Sequence, residues 1–296
     1  MTQFGISVAL LTPFTADGAL DLPKLAQHAQ SVLSRGAHGV TLFGTTGEGA
    51  SIGRAERLAG LKALLEAGVA PAQLTLGVVA CALPDAAEQI AEAVALGVTQ
   101  FLVLPPFYFK GCSDDGLYDW HMRLAQATPA SARLILYHIP QVSGVPLSVG
   151  LVGRLARAAP DRFVAIKDSS GAWPNTEALL QAGDVQVLVG DERQLAAALR
   201  LGAAGSICGT ANLVPERLVQ LYTDKADDPV LADWVGQIVQ HPVVPALKVL
   251  MARQTQDPGW AVARAPLEPL SPDAAETLSI SPARNALATA AGVGQA

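Results

Sequence analysis

Lys167 ends the apolar run Phe163-Val164-Ala165-Ile166 and directly precedes the polar turn Asp168-Ser169-Ser170-Gly171. A lysine at the mouth of a buried strand has two readings. Its stem can lie along apolar surface while the ammonium snorkels into water, or the amine can be held out of water for covalent chemistry. At a free pKa near 10.4 only about 4 in 10,000 such amines are neutral at pH 7, so a nucleophile needs that value lowered. An apolar strand end acts in that direction by penalising the charged form.

Two other segments carry groups that a lysine imine would use. Gly44-Thr45-Thr46-Gly47-Glu48 follows an apolar run and offers two hydroxyls, with glycines that let backbone amides approach an anion. It reads as a carboxylate cradle or as an ordinary turn between strand and helix. Tyr137-His138-Ile139-Pro140 ends another apolar run, thirty residues before Lys167. That spacing predicts neighbouring strands and a phenol within reach of the amine. The phenol can then shuttle protons, oriented by Thr45 or Thr46, or it can be a core tyrosine with a satisfied hydroxyl.

These segments belong to a repeating pattern. Eight short runs rich in aliphatic and β-branched residues each lead into a turn: 7–11, 39–43, 74–79, 100–104, 134–138, 163–167, 185–189 and 205–208. Stretches of helical period lie between them, such as 22–35, 54–67, 85–96, 147–158 and 193–201, several stopping at a glycine. Runs that stay apolar without alternation indicate parallel strands covered on both faces. Eight units over some 220 residues predict an α/β fold, a (β/α)8 TIM barrel spanning residues 1–222. The competitor is a doubly wound open sheet, but no GxGxxG or GxxxxGK[ST] follows any strand. Residues 223–296 form a C-terminal helical appendage, with helices at 229–239 and 244–253, and the Ala/Gly-rich end at 281–296 is expected to be loosely held.

Composition narrows the class of function. Of 296 residues, 50% are apolar and 16% charged, and the formal net charge is −6. That balance offers no basic face to nucleic acid and no attraction to anionic lipid. Three scattered cysteines without a CxxC pair indicate neither a disulfide framework nor a metal site, and suit a reducing cytoplasm. No leader pattern opens the chain and no apolar stretch reaches the length of a membrane span. Small metabolites are the expected partners.

Lys167, Tyr137 and the GTTGE segment, in this order, resemble the pyruvate-dependent class I aldolase family that contains dihydrodipicolinate synthase and N-acetylneuraminate lyase. The resemblance also covers Val8 to Phe14, Gly190-Asp191-Glu192, Thr210-Ala211-Asn212 and Ala265 to Leu270. It implies that Lys167 forms an imine with a 2-oxo acid, that Thr45 and Thr46 bind the carboxylate, and that Tyr137 relays protons with Thr46 among the catalytic groups. Gly190 and Ile207 would line the pyruvate pocket. It further implies no cofactor beyond the imine, no metal, an aldehyde as second reactant, and a homotetramer arranged as a dimer of dimers.

Two departures bear on the substrate. Synthases of this family usually carry an arginine five residues after the tyrosine, for the carboxylate of aspartate semialdehyde, where this chain has Val142. Neuraminate lyases also place an aliphatic residue there, and their contacts to sugar hydroxyls correspond to Asp191 and Glu192, with Ser169 nearby. The resemblance therefore implies a lyase for a 2-keto-3-deoxy sugar acid, with a true dihydrodipicolinate synthase and a non-catalytic 2-oxo acid binding protein as alternatives. The second departure lies in Pro105 to Gly111, one residue longer than in the synthases, where either Tyr108 or Phe109 stands at the position of a tyrosine that enters the neighbouring subunit's site. Tyr108 is the expected one. His138 replaces a usual asparagine and is expected to orient or pack rather than to carry protons.

Overall fold

The computed structural model describes residues 4–278; the segment 281–296 lies outside the described residues. Eight parallel strands close into a barrel in chain order. They are β1 (Gly5–Ala9), β2 (Gly39–Leu42), β3 (Leu74–Val78), β4 (Gln100–Val103), β5 (Arg133–His138), β6 (Phe163–Asp168), β7 (Gln186–Val189) and β8 (Gly205–Cys208). Each coincides with an expected run to within one or two residues. The first differs most: it begins at Gly5 and stops at Ala9, where the chain turns so that the amide of Leu11 meets Asn212 Oδ1 at 2.9 Å.

The surrounding helices are α1 (Leu22–Ser34), α2 (Arg54–Glu66), α3 (Leu83–Ala95), α4 (Asp114–Ala127), α5 (Pro140–Ser143), α6 (Val149–Ala158), α7 (Trp173–Ala182), α8 (Leu195–Arg200) and α9 (Pro215–Asp224). Beyond them follow α10 (Pro229–Ile238), α11 (Val243–Thr255) and the short α12 (Pro272–Thr277). Local chemistry sets many of the ends. Asp21, Ser113, Ser148 and Asp228 cap α1, α4, α6 and α10 by accepting from backbone amides of the first turn, which satisfies donors that the helix itself leaves free. No helix among the described residues is long and apolar enough to cross a membrane.

The barrel has two apolar compartments because side chains alternate along each strand. Ala9, Leu102, Ile135, Ala165, Leu188 and Ile207 pack together inside it with Tyr137. Residues such as Val40, Leu134, Leu136, Ile166 and Val187 belong to the larger layer between strands and helices. At the end of β6 this alternation separates two adjacent polar residues. Lys167 follows Ala165 on the inner face, and Asp168 follows Ile166 on the outer one.

Two buried histidines make the fold acid-sensitive. His28 bonds through Nε2 to Asn212 Oδ1 at 2.8 Å, and burial lowers its pKa to about 4 against the partial opposition of that bond. His121, fully buried, bonds through Nδ1 to Leu117 O and is likewise lowered by burial to about 4. Depressed folded-state values mean that the unfolded chain binds protons first as pH falls. Stability is complete above about pH 6.5 and drops by about 2–3 kcal/mol per histidine by pH ~4.5. Urea titrations across this range check the slope; a pH-independent midpoint would contradict it.

Candidate active site

The site begins with strand register. Parallel pairing of β5 with β6 sets Tyr137 directly against Lys167, and His138 against Asp168. Lys167 Nζ donates to Tyr137 Oη at 3.3 Å, and its amine also lies 4.4 Å from the centre of the phenol ring. The phenol donates onward to Thr45 Oγ1 at 3.2 Å. Amine, phenol and hydroxyl thus form a continuous chain across the barrel mouth. The motif alone leaves the tyrosine's partner open between the two threonines, and the resemblance implies Thr46 among the catalytic groups. The bond goes to Thr45, while the Thr46 side chain faces Gly209 across 3.8 Å from where a Cβ there would lie.

The GTTGE turn is built tightly. The amides of Glu48 and Gly49 close it onto Thr45 O and Gly44 O at 3.1 and 2.9 Å. Among the described residues, nothing accepts from the amides of Thr45 or Thr46, which leaves two donors beside two hydroxyls. Any side chain at Gly49 would collide with Phe43 O, since a Cβ would stand 1.9 Å from it. Phe43 and Glu48 both adopt left-handed backbone, with φ of 56° and 55°. Non-glycine residues in that region cost about 1–3 kcal/mol each and persist where the surroundings over-determine them.

Glu48 is held by the C-terminal part of the chain. Its carboxylate forms a fully buried ion pair with Lys248 of α11 and accepts from Arg264 N at 2.9 Å. Lys248 also donates to Val262 O at 2.6 Å and stands over the Phe14 ring. Burial pushes the Lys248 amine below its ordinary pKa, with Glu48 opposing the shift. Sequence reasoning did not single out Lys248, which sits in an otherwise ordinary helix.

On the other side of the lysine, Asp168 organises the turn after β6. It accepts from Ser170 N, Asn175 Nδ2 and Thr176 Oγ1 at 2.8–2.9 Å. His138 takes a bond from Leu147 N on its Nδ1 at 3.0 Å, and burial lowers its pKa with Asp168 opposing. Its ring ties β5 to the chain before α6.

Thr45, Thr46, Tyr137, Val142, Lys167, Ser169, Gly190, Asp191, Glu192 and Ile207 all line one cavity of about 350 Å³. Tyr108 does not line it; the residue is 76% exposed on the loop after β4, edge to face with Phe109 at 5.5 Å. A Cβ at Gly190 would lie 1.9 Å from Ser169 Oγ and 3.0 Å from Ser169 Cα, so a side chain there would require Ser169 to shift. The two acidic residues expected to meet substrate hydroxyls are already engaged. Asp191 accepts from Arg193 N and Nε on Oδ1 and from Nη2 on Oδ2, at 2.6–3.1 Å. Glu192 Oε1 accepts from Thr210 N and Oγ1 at 2.9 and 2.6 Å, and burial raises its pKa while those bonds oppose the rise. Arg193 was missed in the sequence, although its place beside two acids was a visible signal. Among the described residues, no group of three or more His, Cys, Asp or Glu is placed to hold a metal ion.

Fold and site together define a (β/α)8-barrel lyase. The chain belongs to the dihydrodipicolinate synthetase family, whose model matches residues 2–280. An uncharacterized DapA-like lyase of Chloroflexus aurantiacus is 35% identical over 90% of this chain and 92% of its own. A 4-hydroxy-tetrahydrodipicolinate synthase of Streptomyces coelicolor is 32% identical over 88% of this chain and 83% of its own. The crystal structure of dihydrodipicolinate synthase from Agrobacterium tumefaciens superposes with a TM-score of 0.91 at 44% identity, covering 96% of this chain and 99% of that one.

Proposed function

We propose that the protein is a Schiff-base lyase that cleaves, or forms by condensation, a 2-oxo acid through an imine between Lys167 and the keto carbon of a pyruvyl unit. The observation that carries this reading is the pairing of Tyr137 with Lys167, amine to phenol at 3.3 Å and phenol to Thr45 at 3.2 Å. The protonated imine is an electron sink, so a proton can leave C3, the C3–C4 bond can break, or a C4 hydroxyl can be lost. Thr45 and Thr46 hold the carboxylate with amides and hydroxyls. Tyr137 moves the proton between carbinolamine, imine and product, with Thr45 as the next hydroxyl. No external cofactor enters this scheme.

For the second reactant, Val142 stands where a synthase arginine would be, and an aliphatic side chain cannot pair with a carboxylate. Among the lining residues the one guanidinium is Arg193, held by Asp191. This disfavours aspartate semialdehyde and hence a true dihydrodipicolinate synthase. The 2-keto-3-deoxy sugar acid reading is supported by Ser169, Asp191 and Glu192 lining the cavity, and weakened by the internal bonds of both acids. A non-catalytic 2-oxo acid binder would be stabilised by such acids without turning them over. We also retain a cytoplasmic homotetramer as part of the reading, with the exposed Tyr108 entering a neighbouring subunit's site.

Borohydride reduction in the presence of pyruvate tests the imine: the reduced pyruvyl group is expected on the peptide that contains Lys167. A protein recovered without that adduct would sink the mechanism. Tyr137→Phe is expected to lower kcat by about 10²–10⁴-fold, the usual worth of a positioned proton-transfer group, while slower trapping on Lys167 persists. A variant with wild-type kcat would remove Tyr137 from the relay.

A further inference from the structure

Beyond the lysine and the cradle, one side of the cavity is walled by hydrocarbon. α10 and α11 contribute Ile238, Val243, Val244 and Leu247, with Val239 between the helices and Val142 from α5. Val142, Val239 and Val243 are 59%, 40% and 40% exposed, so apolar surface lies bare around a concave site. Several polar groups on the same cavity are already partnered. Besides the bonds made by Asp191 and Glu192, Gln141 Nε2 donates to Ser169 O at 2.6 Å and Ser170 Oγ accepts from Ala172 N at 3.2 Å. A polyhydroxylated chain placed here would give up water for a wall that returns few hydrogen bonds, and each unreturned bond is costly. A hydrocarbon chain or ring would gain by burial against the same wall.

Resting on the imine reading above, we infer that the second reactant is an apolar aldehyde, and that the substrate is a 4-hydroxy-2-oxo acid bearing an aliphatic or aromatic group on C4. Lys167 forms the imine at C2. The C4 hydroxyl gives its proton to the Tyr137 relay as the C3–C4 bond breaks, and the electron pair of that bond moves into the protonated imine to form the enamine. The aldehyde departs. C3 of the enamine then takes a proton, water hydrolyses the imine, and pyruvate leaves with the Lys167 amine restored. Nothing is oxidised or reduced, and the two products together contain the atoms of the substrate.

The test compares pyruvate release from 4-hydroxy-2-oxo acids carrying phenyl or butyl on C4 with release from 2-keto-3-deoxygluconate. Reverse condensations of pyruvate with benzaldehyde, pentanal and glyceraldehyde accompany it. The apolar series is expected to have kcat/KM at least about tenfold higher, the scale on which a hydrophobic pocket discriminates. Val243→Asn and Val239→Asn are each expected to narrow that preference severalfold. Equal or better turnover of the hydroxylated series overturns the inference, and so does a preference that neither variant alters. Inertness of both series in a protein that still traps pyruvate on Lys167 overturns it too, while the imine reading stands. Failure to trap pyruvate removes the imine reading and this inference with it.

Discussion

Lys167→Met abolishes turnover, by about 10⁴-fold or more as expected for loss of a covalent nucleophile, and leaves the barrel folded with an unchanged or higher melting temperature. The argument for activity is chemical, since a thioether cannot form the imine and no neighbouring amine stands at the same strand position. The argument for stability comes from burial. Lys167 is 5% exposed, and its amine meets a phenol rather than a carboxylate. Methionine has similar length and removes the need to keep a polar group in that setting. Tyr137 keeps its bond to Thr45, so the remainder of the site retains a partnered hydroxyl. Steady-state assays together with thermal unfolding of both proteins measure the two effects. Retained pyruvate-dependent turnover would refute the nucleophile assignment, and a large fall in melting temperature would show that the lysine serves the fold.

Lys248→Met is expected to behave in the opposite way, destabilising the protein by about 3–5 kcal/mol because it strands the Glu48 carboxylate in a buried site. Neither member of this pair reaches solvent. Glu48→Gln strands the lysine instead and is expected to cost a similar amount. The double variant E48Q/K248M leaves no unpaired buried charge and recovers most of the loss, since a buried ion pair contributes far less than breaking it removes. A functional signature separates this pair from ordinary packing. Glu48 belongs to the turn that holds Thr45 and Thr46, so the double variant should fold yet show a raised KM for pyruvate. Denaturant titration of all four proteins closes the double-mutant cycle. Single variants costing less than about 1 kcal/mol would be incompatible with a buried pair.

Much of the fold was legible because its rules are local. Continuous apolar runs marked the buried parallel strands, and glycine stops marked many helix ends. The first strand's boundary shifted where a distant partner holds the chain, the amide of Leu11 bonding to Asn212. Helix α7 was not singled out; its first residues Trp173 and Pro174 give little periodic signal, while its Asn175 and Thr176 hold Asp168. Lys167, Tyr137 and the GTTGE turn stand out in the sequence as strand-end motifs, whereas the other cavity residues were implied by the family resemblance and Tyr108 lies outside the cavity. How the cavity residues bond was not legible, because residue type alone does not say whether a carboxylate such as Asp191 or Glu192 faces a ligand or a neighbouring donor.

By itself the sequence determined that the chain builds eight strand-and-helix units, that an amine, a phenol and a hydroxyl-rich turn stand at strand ends, and that no arginine occupies position 142. These are properties of residue type and short spacing, which periodicity and strand alternation carry directly into place. Only the tertiary structure decided that Thr45 accepts from Tyr137, that Arg193 and Thr210 occupy the two acids, and that α10 and α11 wall the cavity with aliphatic side chains. Each depends on segments brought together by barrel closure, and the Glu48–Lys248 pair joins positions about 200 residues apart. Closure is driven by burial of apolar surface, which is non-directional. The polar partners are then selected by where the packed backbone leaves a donor beside an acceptor.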